Sequence, residues 1–195
     1  PLHYVTAEAA GQSGADAGIV IREQAHMGHL NLRGDADDEM FRRGVAEVLG
    51  VDLPVEPGSC TGSNESRLYW LGPNEWLAIV AGGTEAVVET RLRQTLSGHF
   101  SVVDVSGGQT LVNLRGAPMA IDSVLKKSCI YDFAGWSNAG SGKGRCAQTT
   151  FAKASALVSN RTDGSFDLII RRSFADYIAL WMLDAGGEFG LRIEG

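Results

Sequence analysis

Cysteine is scarce in this chain, and its few copies do not group. Cys60, Cys129 and Cys146 are an odd number and share no short spacing. That fits neither a disulfide framework nor a zinc pattern, and it suits a reducing compartment, the cytoplasm. Long hydrophobic runs are missing too: the apolar stretch around Trp181 to Leu183 falls far short of a bilayer span. Residues 1–18 lack the basic-then-apolar order of a secretory signal. Positive charge is also short. With 17 Lys and Arg against 23 Asp and Glu, the net charge is −6, which argues against nucleic acid as a partner. What remains is a globular composition, 44% hydrophobic and 21% charged over 195 residues. A chain of that length buries about 70% of its unfolded surface and folds without covalent staples.

Periodicity and punctuation give an element order. Residues 1–18 are rich in small and turn-forming residues without period and read as an N-terminal arm. Residues 18–23 and 28–33 read as strands, the second ending at Gly34. Asp35 is the expected cap of a helix whose first turn holds Asp37, Asp38 and Glu39, where the helix dipole favours negative charge. Phe41, Val45, Val48 and Leu49 make its apolar face and Gly50 its stop. A loop is expected over 54–64, then strands over 67–71 and 76–80 around the turn Gly72-Pro73-Asn74-Glu75. Thr84 is the expected cap of a second helix carrying Val88, Leu92 and Leu96, and 101–105 is a further strand. From Gly28 the order is β-α-β-β-α-β, the ferredoxin-like unit.

The second half repeats that plan. A strand over 111–115 leads to Pro118 in a helix first turn, with Ile121, Val124 and Leu125 buried and Lys126 and Lys127 at the cation-favouring end. A Gly- and Ser-rich loop covers 132–145. Strands follow over 147–152, 156–160 and 166–170, with a turn at Thr162-Asp163-Gly164. Ser173 is the expected cap of a last helix with Phe174, Tyr177, Ile178, Trp181, Met182 and Ala185 on one stripe, before a tail strand over 191–193. Leu30-Asn31-Leu32-Arg33-Gly34 matches Val112-Asn113-Leu114-Arg115-Gly116 at the same strand-to-helix step, the mark of a fused repeat. The expected fold is therefore α+β. Residues 19–195 form a single domain of two ferredoxin-like βαββαβ repeats, approximately 26–106 and 107–195, packed as a pseudo-twofold unit.

Familiar site signals fail one after another. Gly142-Lys143 lacks the rest of a phosphate loop, because Ser137 stands where a glycine is needed and Gly144 where a Ser or Thr would hold magnesium. The string Gly142-Lys143-Gly144-Arg145-Cys146-Ala147 leads into a strand, whereas a dinucleotide site leads into a helix. His3, His26, His29 and His99 show no third-ligand spacing. No Ser-rich stretch makes a nucleophile elbow. Arg33, Arg115, Arg171 and Arg172 could bind an anionic ligand such as a folate tail, or could equally pair with acids or anchor a partner. Trp70, Trp76, Tyr177 and Trp181 are core by periodicity, with room for a subunit contact. No catalytic, cofactor-binding or metal residue is assigned.

Four stretches nevertheless carry a resemblance. Leu71-Gly72-Pro73-Asn74-Glu75-Trp76-Leu77, Asp104-Val105-Ser106, Ala147-Gln148-Thr149-Thr150 with Ala152-Lys153-Ala154, and Arg172-Ser173-Phe174-Ala175-Asp176-Tyr177 with Ala185 and Gly190 span most of the chain. Together they resemble the gamma subunit of heterotetrameric sarcosine oxidase. The resemblance implies a fold like the folate-binding part of aminomethyltransferases and a non-catalytic, structural role. The complex would oxidise sarcosine to glycine, yielding hydrogen peroxide and methylene-tetrahydrofolate. It also implies alpha, beta and delta partner subunits that hold FAD, FMN, NAD and zinc. The competing expectation is a free-standing folate-binding or aminomethyl-transferring protein on the same fold.

Overall fold

The computed structural model describes Leu2 and residues 18–63, 65–136 and 144–194. The arm expected over 1–18 and the loop over 137–144 lie almost wholly outside the described residues. The fold is mixed α+β, with eleven strands and four α-helices among the described residues. None of those helices is long and apolar enough to cross a membrane. The chain divides into two compact units. The N-half unit holds the described parts of His26–Gly107 and Lys143–Cys146, and the C-half unit those of Pro1–Ala25, Gly108–Gly142 and Ala147–Gly195. The first strand, β1 (Ile19–Gln24), belongs to the C-half unit.

In the N-half unit the order is β2 (Gly28–Arg33), α1 (Glu39–Leu49), β3 (Ser59–Gly62), β4 (Ser66–Gly72), β5 (Glu75–Val80), α2 (Glu85–Thr95) and β6 (Ser101–Asp104). The sheet runs β3-β4-β5-β2-β6, antiparallel throughout. Alternation sets the two faces. Leu30, Leu32, Leu68, Trp76, Ala78, Val80 and Val102 point to a core closed by Phe41, Val45, Val48, Leu49, Leu92 and Leu96 of the helix segments. Trp76 is fully buried, and its indole N–H donates to the Pro54 carbonyl at 2.7 Å, so its one polar atom is satisfied. The cap of α1 is Asp38, whose carboxylate accepts from the Met40 N–H at 2.8 Å. Asp35, the expected cap, instead accepts from Asp37 N–H and turns the chain into the helix. Gly50 closes α1 in the left-handed conformation, φ 70°, returning its N–H to the Ala46 carbonyl. Thr84 precedes α2 but spends its hydroxyl on the Ala81 carbonyl rather than on a helix N–H.

Strand β3 lies inside the stretch expected to be a loop. Its terminal Gly62 is a weak strand former and the surrounding composition is that of a loop, but its backbone is paired with β4 on one side and with Gly144 and Arg145 on the other. Pairing on both edges overrides propensity.

The C-half unit contains β1, β7 (Gln109–Gly116), α3 (Pro118–Ser128), β9 (Ala154–Asn160), β10 (Phe166–Arg171), α4 (Ala175–Gly186), β11 (Leu191–Glu194) and, from Ala147 onward, β8 (Gly144–Phe151), whose first residues belong to the N-half unit. Its strand order is β11-β1-β7-β10-β9-β8. Strand β1 is antiparallel to β7 and parallel to β11, so it completes the sheet of the second half although it precedes the first half in sequence. Burial explains the choice: Ile19 and Ile21 join Val112, Leu114, Leu168 and Ile170 in one core. That core is covered by Ile121, Val124 and Leu125 of α3 and by Ile178, Ala179 and Met182 of α4. Pro118 opens α3 as expected. Ser173 caps nothing, because a 3-10 turn over Arg172–Phe174 feeds α4, which starts at Ala175 without a side-chain cap. The buried stripe of α4 is accordingly Ala175, Ile178, Ala179, Met182 and Ala185, with Tyr177 and Trp181 packed at its flank and Phe174 on the surface. Lys127 Nζ donates to the Ala185 carbonyl at 2.9 Å and Trp181 Nε1 to Ser128 Oγ at 3.2 Å, which ties α3 to α4.

The two glycines that end the duplicated motif are required by close approach. A methyl at Gly34 would enter the ring of Phe41, and one at Gly116 would strike the backbone oxygen of Gly18. Phe41 is 3% exposed and packs 5.9 Å from Trp76, so its ring cannot swing away cheaply. Gly34→Ala and Gly116→Ala are each expected to lower unfolding free energy by about 1–3 kcal/mol, the usual cost of overpacking. Gly107→Ala, with open space around the new methyl, should stay within about 0.5 kcal/mol of the parent. Urea denaturation of the three variants checks the ordering.

Candidate functional site

The duplicated motif puts the same two side chains on the same face of β2 and β7. Leu30 and Leu32 point to one core and Val112 and Leu114 to the other, leaving Asn31, Arg33, Asn113 and Arg115 on the opposite face. In the N-half unit a single carboxylate holds both: Glu75 accepts from Asn31 Nδ2 at 2.8 Å and from Arg33 Nη2 at 2.6 Å. Register explains the contact, since Glu75 lies directly across from Arg33.

In the C-half unit the network is larger and deeper. Asn113, 1% exposed, donates to Asp167 Oδ1 at 2.7 Å and to Ser165 Oγ and the Phe166 carbonyl at 3.2 Å each. Its own Oδ1 accepts from Arg115 Nε at 2.7 Å. Asp167 is fully buried and faces Asn113 across the sheet, with Arg161 Nη1 at 3.5 Å from its carboxylate. A buried carboxylate needs such donors, because removing it from water without them costs several kcal/mol on the order-of-magnitude scale for buried ions. At the hairpin tip Asp163 accepts from the Ser165 hydroxyl at 2.6 Å and from its N–H at 3.0 Å. Partial burial pushes the Asp163 carboxyl up. The two Ser165 bonds, with Arg161 and Arg115 nearby, more than offset that and hold it below the usual carboxylate range.

These contacts decide what the candidate arginines do. Arg33 is engaged by Glu75 and Arg115 by Asn113. Arg171 and Arg172 are exposed where β10 passes into the turn before α4. The structure does not gather the four into one anion-binding cluster within either unit.

A serine, a histidine and an aspartate do meet at the end of β6. Ser106 Oγ donates to Asp104 Oδ1 at 2.5 Å and accepts from the main-chain N–H of His29 at 2.9 Å. The Ser106 hydroxyl, together with the Ser106 main-chain N–H, which donates to the same carboxylate oxygen at 2.8 Å, holds the Asp104 carboxyl below its usual range. The hydroxyl proton goes straight to a carboxylate, which positions the turn but does not make the base-activated serine of a hydrolase. With Val105 N–H donating to the His29 carbonyl at 2.8 Å, the three-residue segment Asp104-Val105-Ser106 ties β6 to β2.

His26 stands in a turn at φ 61°, His29 is buried in β2, and His99 is exposed, while His3 lies outside the described residues. Among the described residues no group of three or more His, Cys, Asp or Glu side chains could hold a metal ion. Ser137, Gly142 and Lys143 of the phosphate-loop-like string also lie outside the described residues, and Gly144 opens β8 opposite Cys60. Two of the three cysteines are brought together, Cys60 on β3 and Cys146 on β8. Sequence spacing could not show this, because 85 residues separate them.

Sequence reasoning also missed an aromatic cluster in the C-half unit. Tyr131, Phe133 and Trp136 lie 4.8 to 5.6 Å apart, and Phe133 meets Phe166 edge-on at 6.3 Å. The available signal was three rings within six residues, Tyr131 just before and Phe133 and Trp136 inside the segment 132–145 read as a Gly- and Ser-rich loop. Apolar side chains on the surface of this unit include Met119, Ile130, which is 99% exposed, and Phe174, which is 45% exposed. Phe174 is notable because it belongs to the Ser173-Phe174-Ala175-Asp176-Tyr177 segment, where a buried stripe was expected.

The pH dependence follows from Asp163. Its folded carboxyl titrates below the unfolded one, so its contribution to stability is present above the unfolded value of 3.8 and is lost as pH falls through the lower folded value. Urea midpoints measured from pH 5 downward should fall less steeply for Asp163→Asn than for the parent. Parallel curves for the two proteins would contradict the arrangement.

The geometry can be set beside known proteins. Residues 33–188 match the model of the "Sarcosine oxidase, gamma subunit family". A sarcosine oxidase subunit gamma of Corynebacterium sp. (strain P-1) is 31% identical over 185 residues, covering 94% of this chain and 87% of that protein. The subunit gamma from an Arthrobacter species is 30% identical over the same coverage. A chain of the heterotetrameric sarcosine oxidase from Corynebacterium sp. U-96 superposes with a TM-score of 0.79 at 26% identity, covering 97% of this chain and 94% of that one. Aminomethyltransferase T of the glycine cleavage system from Bartonella henselae has a TM-score of 0.64 at 13% identity, covering 100% of this chain and 52% of that one, a likeness of fold alone.

Proposed function

We propose that this chain, which belongs to the sarcosine oxidase gamma subunit family, is a non-catalytic structural subunit of a heterotetrameric sarcosine oxidase. The observation that carries the reading is the near full-length match, on both sides, to a chain of such a heterotetramer. The engagement of Arg33 and Arg115 inside their own sheets supports it, since two of the four side chains best suited to grip an anionic ligand serve the fold instead. On this reading the chain supplies no catalytic, cofactor-binding or metal residue. FAD, FMN, NAD and zinc belong to alpha, beta and delta partners in the cytoplasm, and the assembled complex demethylates sarcosine.

The finer architecture belongs to the same proposal. The strand order β4-β5-β2-β6 with two helices is that of a ferredoxin-like unit. In the second half β9-β10-β7-β1 is the counterpart, with β1 in the place of a fourth strand. We take residues 19–195 as two such repeats, each preceded in its hairpin by an extra strand, β3 or β8.

A subunit of this kind acts by covering its neighbours, and permanent interfaces commonly hide about 2,000 Å² or more. Ring side chains at the centre of such a surface contribute most to affinity. Phe174 is the candidate on the family-specific segment. Co-expression with the larger flavin-carrying chains should recover all subunits together, and the isolated chain should not oxidise sarcosine. Phe174→Glu should reduce the recovered partners by about tenfold or more, the effect of losing one central anchor, with an unchanged far-ultraviolet spectrum. Recovery of this chain alone, or turnover by it alone, contradicts the proposal. The free-standing alternative is favoured by the aminomethyltransferase-like fold. Micromolar tetrahydrofolate binding by the isolated chain in calorimetry would decide for it.

A further inference from the structure

We propose that Cys60 and Cys146 form an oxidisable thiol pair that closes to a disulfide between β3 and β8. The inference is independent of the partner-subunit reading, since both residues and every contact used lie within the N-half unit.

Strand register sets the geometry. Cys60 lies opposite Gly144 across the antiparallel β3–β8 pair, and Cys146 is two residues further along β8, its N–H bonded to the Gly58 carbonyl at 2.8 Å. A two-residue offset keeps both side chains on the same face of the pair. Gly144 supplies the space between them. A methyl there would fall on the Cys60 sulfur, so the thiol occupies the space that the glycine leaves open. Cys60 hydrogen-bonds the sulfur of Cys146 directly, and this contact is the first cause of the lowered pKa of Cys146. The Cys146 thiol is further placed by the Ser59 carbonyl at 3.2 Å and the Trp70 carbonyl at 3.5 Å. Both residues are buried, Cys146 to 2% and Cys60 to 9% exposure. The third cysteine is a built-in control. Cys129, at the end of α3, bonds the Leu125 carbonyl at 3.3 Å, and burial pushes its thiol up.

The chemistry balances with a hydroperoxide as oxidant. The Cys146 thiolate attacks one peroxide oxygen, the O–O bond breaks, and the departing hydroxide takes up a proton to leave as water, giving a sulfenic acid at Cys146. The Cys60 sulfur then attacks that sulfenic sulfur, its thiol proton goes to the leaving hydroxide, and a second water departs as the S–S bond forms. Two thiols lose two electrons and one peroxide gains them. The product staples β8 to β3 across the long intervening segment, where a link of this span strongly restricts the unfolded chain.

The test uses the full chain in whatever assembly it purifies with, treated with hydrogen peroxide, alkylated without reductant under denaturing conditions, digested and weighed. Expected are a peptide pair joined through Cys60 and Cys146, lighter by two hydrogen atoms than its reduced parts, with Cys129 still alkylated, and a higher melting temperature that dithiothreitol reverses. Cys60→Ser should abolish the link and leave Cys146 oxidised alone. Cys146→Ala should leave Cys60 alkylated. Equal alkylation of all three cysteines with and without peroxide overturns the proposal, as does a link that includes Cys129 or one that forms only after denaturation.

Discussion

Each unit is organised around a central strand that must end where no side chain fits. Strands β2 and β7 have neighbours on both edges, so their amides and carbonyls are spent within the sheet. The chain must then leave the sheet and enter a helix without losing that pairing. Gly34 does so under the face of Phe41, and Gly116 does so against the backbone of Gly18. The neighbours differ, yet the demand for a bare Cα is the same in both. Everything above the sheet depends on that exit, because α1 and α3 can lie down on their cores only if the backbone turns at that point.

The polar face of the same strands shows how a fold absorbs residues that look functional. An asparagine and an arginine two positions apart on a strand read as a recognition pair. In the first half Glu75 of the neighbouring strand answers both; in the second, Asp167 and Ser165 answer Asn113, which in turn accepts from Arg115. Once a carboxylate is fully buried, as Asp167 is, its donors are no longer available to a ligand. Withdrawing them would leave an uncompensated charge at a cost of about 3–5 kcal/mol. The physical price of the buried acid is what commits Asn113 and Arg161 to structure.

Much of the architecture was legible in the residues. Strands β2, β5, β7 and β10 and the faces of α1 and α3 follow from alternation, from Gly50 and from Pro118, signals that act within a few residues. Most of the failures depend on partners distant in sequence, and the helix cap on local geometry. Strand β3 exists because it is paired on both edges, the cap of α1 moved from Asp35 to Asp38 through local side-chain geometry, and β1 joined a sheet whose other members begin at Gln109. The Cys60–Cys146 contact belongs to the same class. So does the aromatic cluster around Phe133, which hid inside a segment whose composition read as loop. The site itself was legible only as a set of candidate residues. Their engagement inside the sheets could not be read without the register.

The two matched five-residue motifs also show what is kept between them and what is released. The acid that answers the motif has shifted along its strand. Glu75 sits opposite Arg33, whereas Asp167 sits opposite Asn113. A side-chain bond can be rebuilt from a neighbouring position, because a long Arg or Glu reaches across the sheet from either register. A backbone that passes within contact of a ring or a carbonyl has no such freedom. The glycine therefore stays in both halves while the acid shifts, and Glu75 remains part exposed while Asp167 is fully buried. The order of constraint is therefore the path of the chain first, burial second, and the identity of each polar partner last.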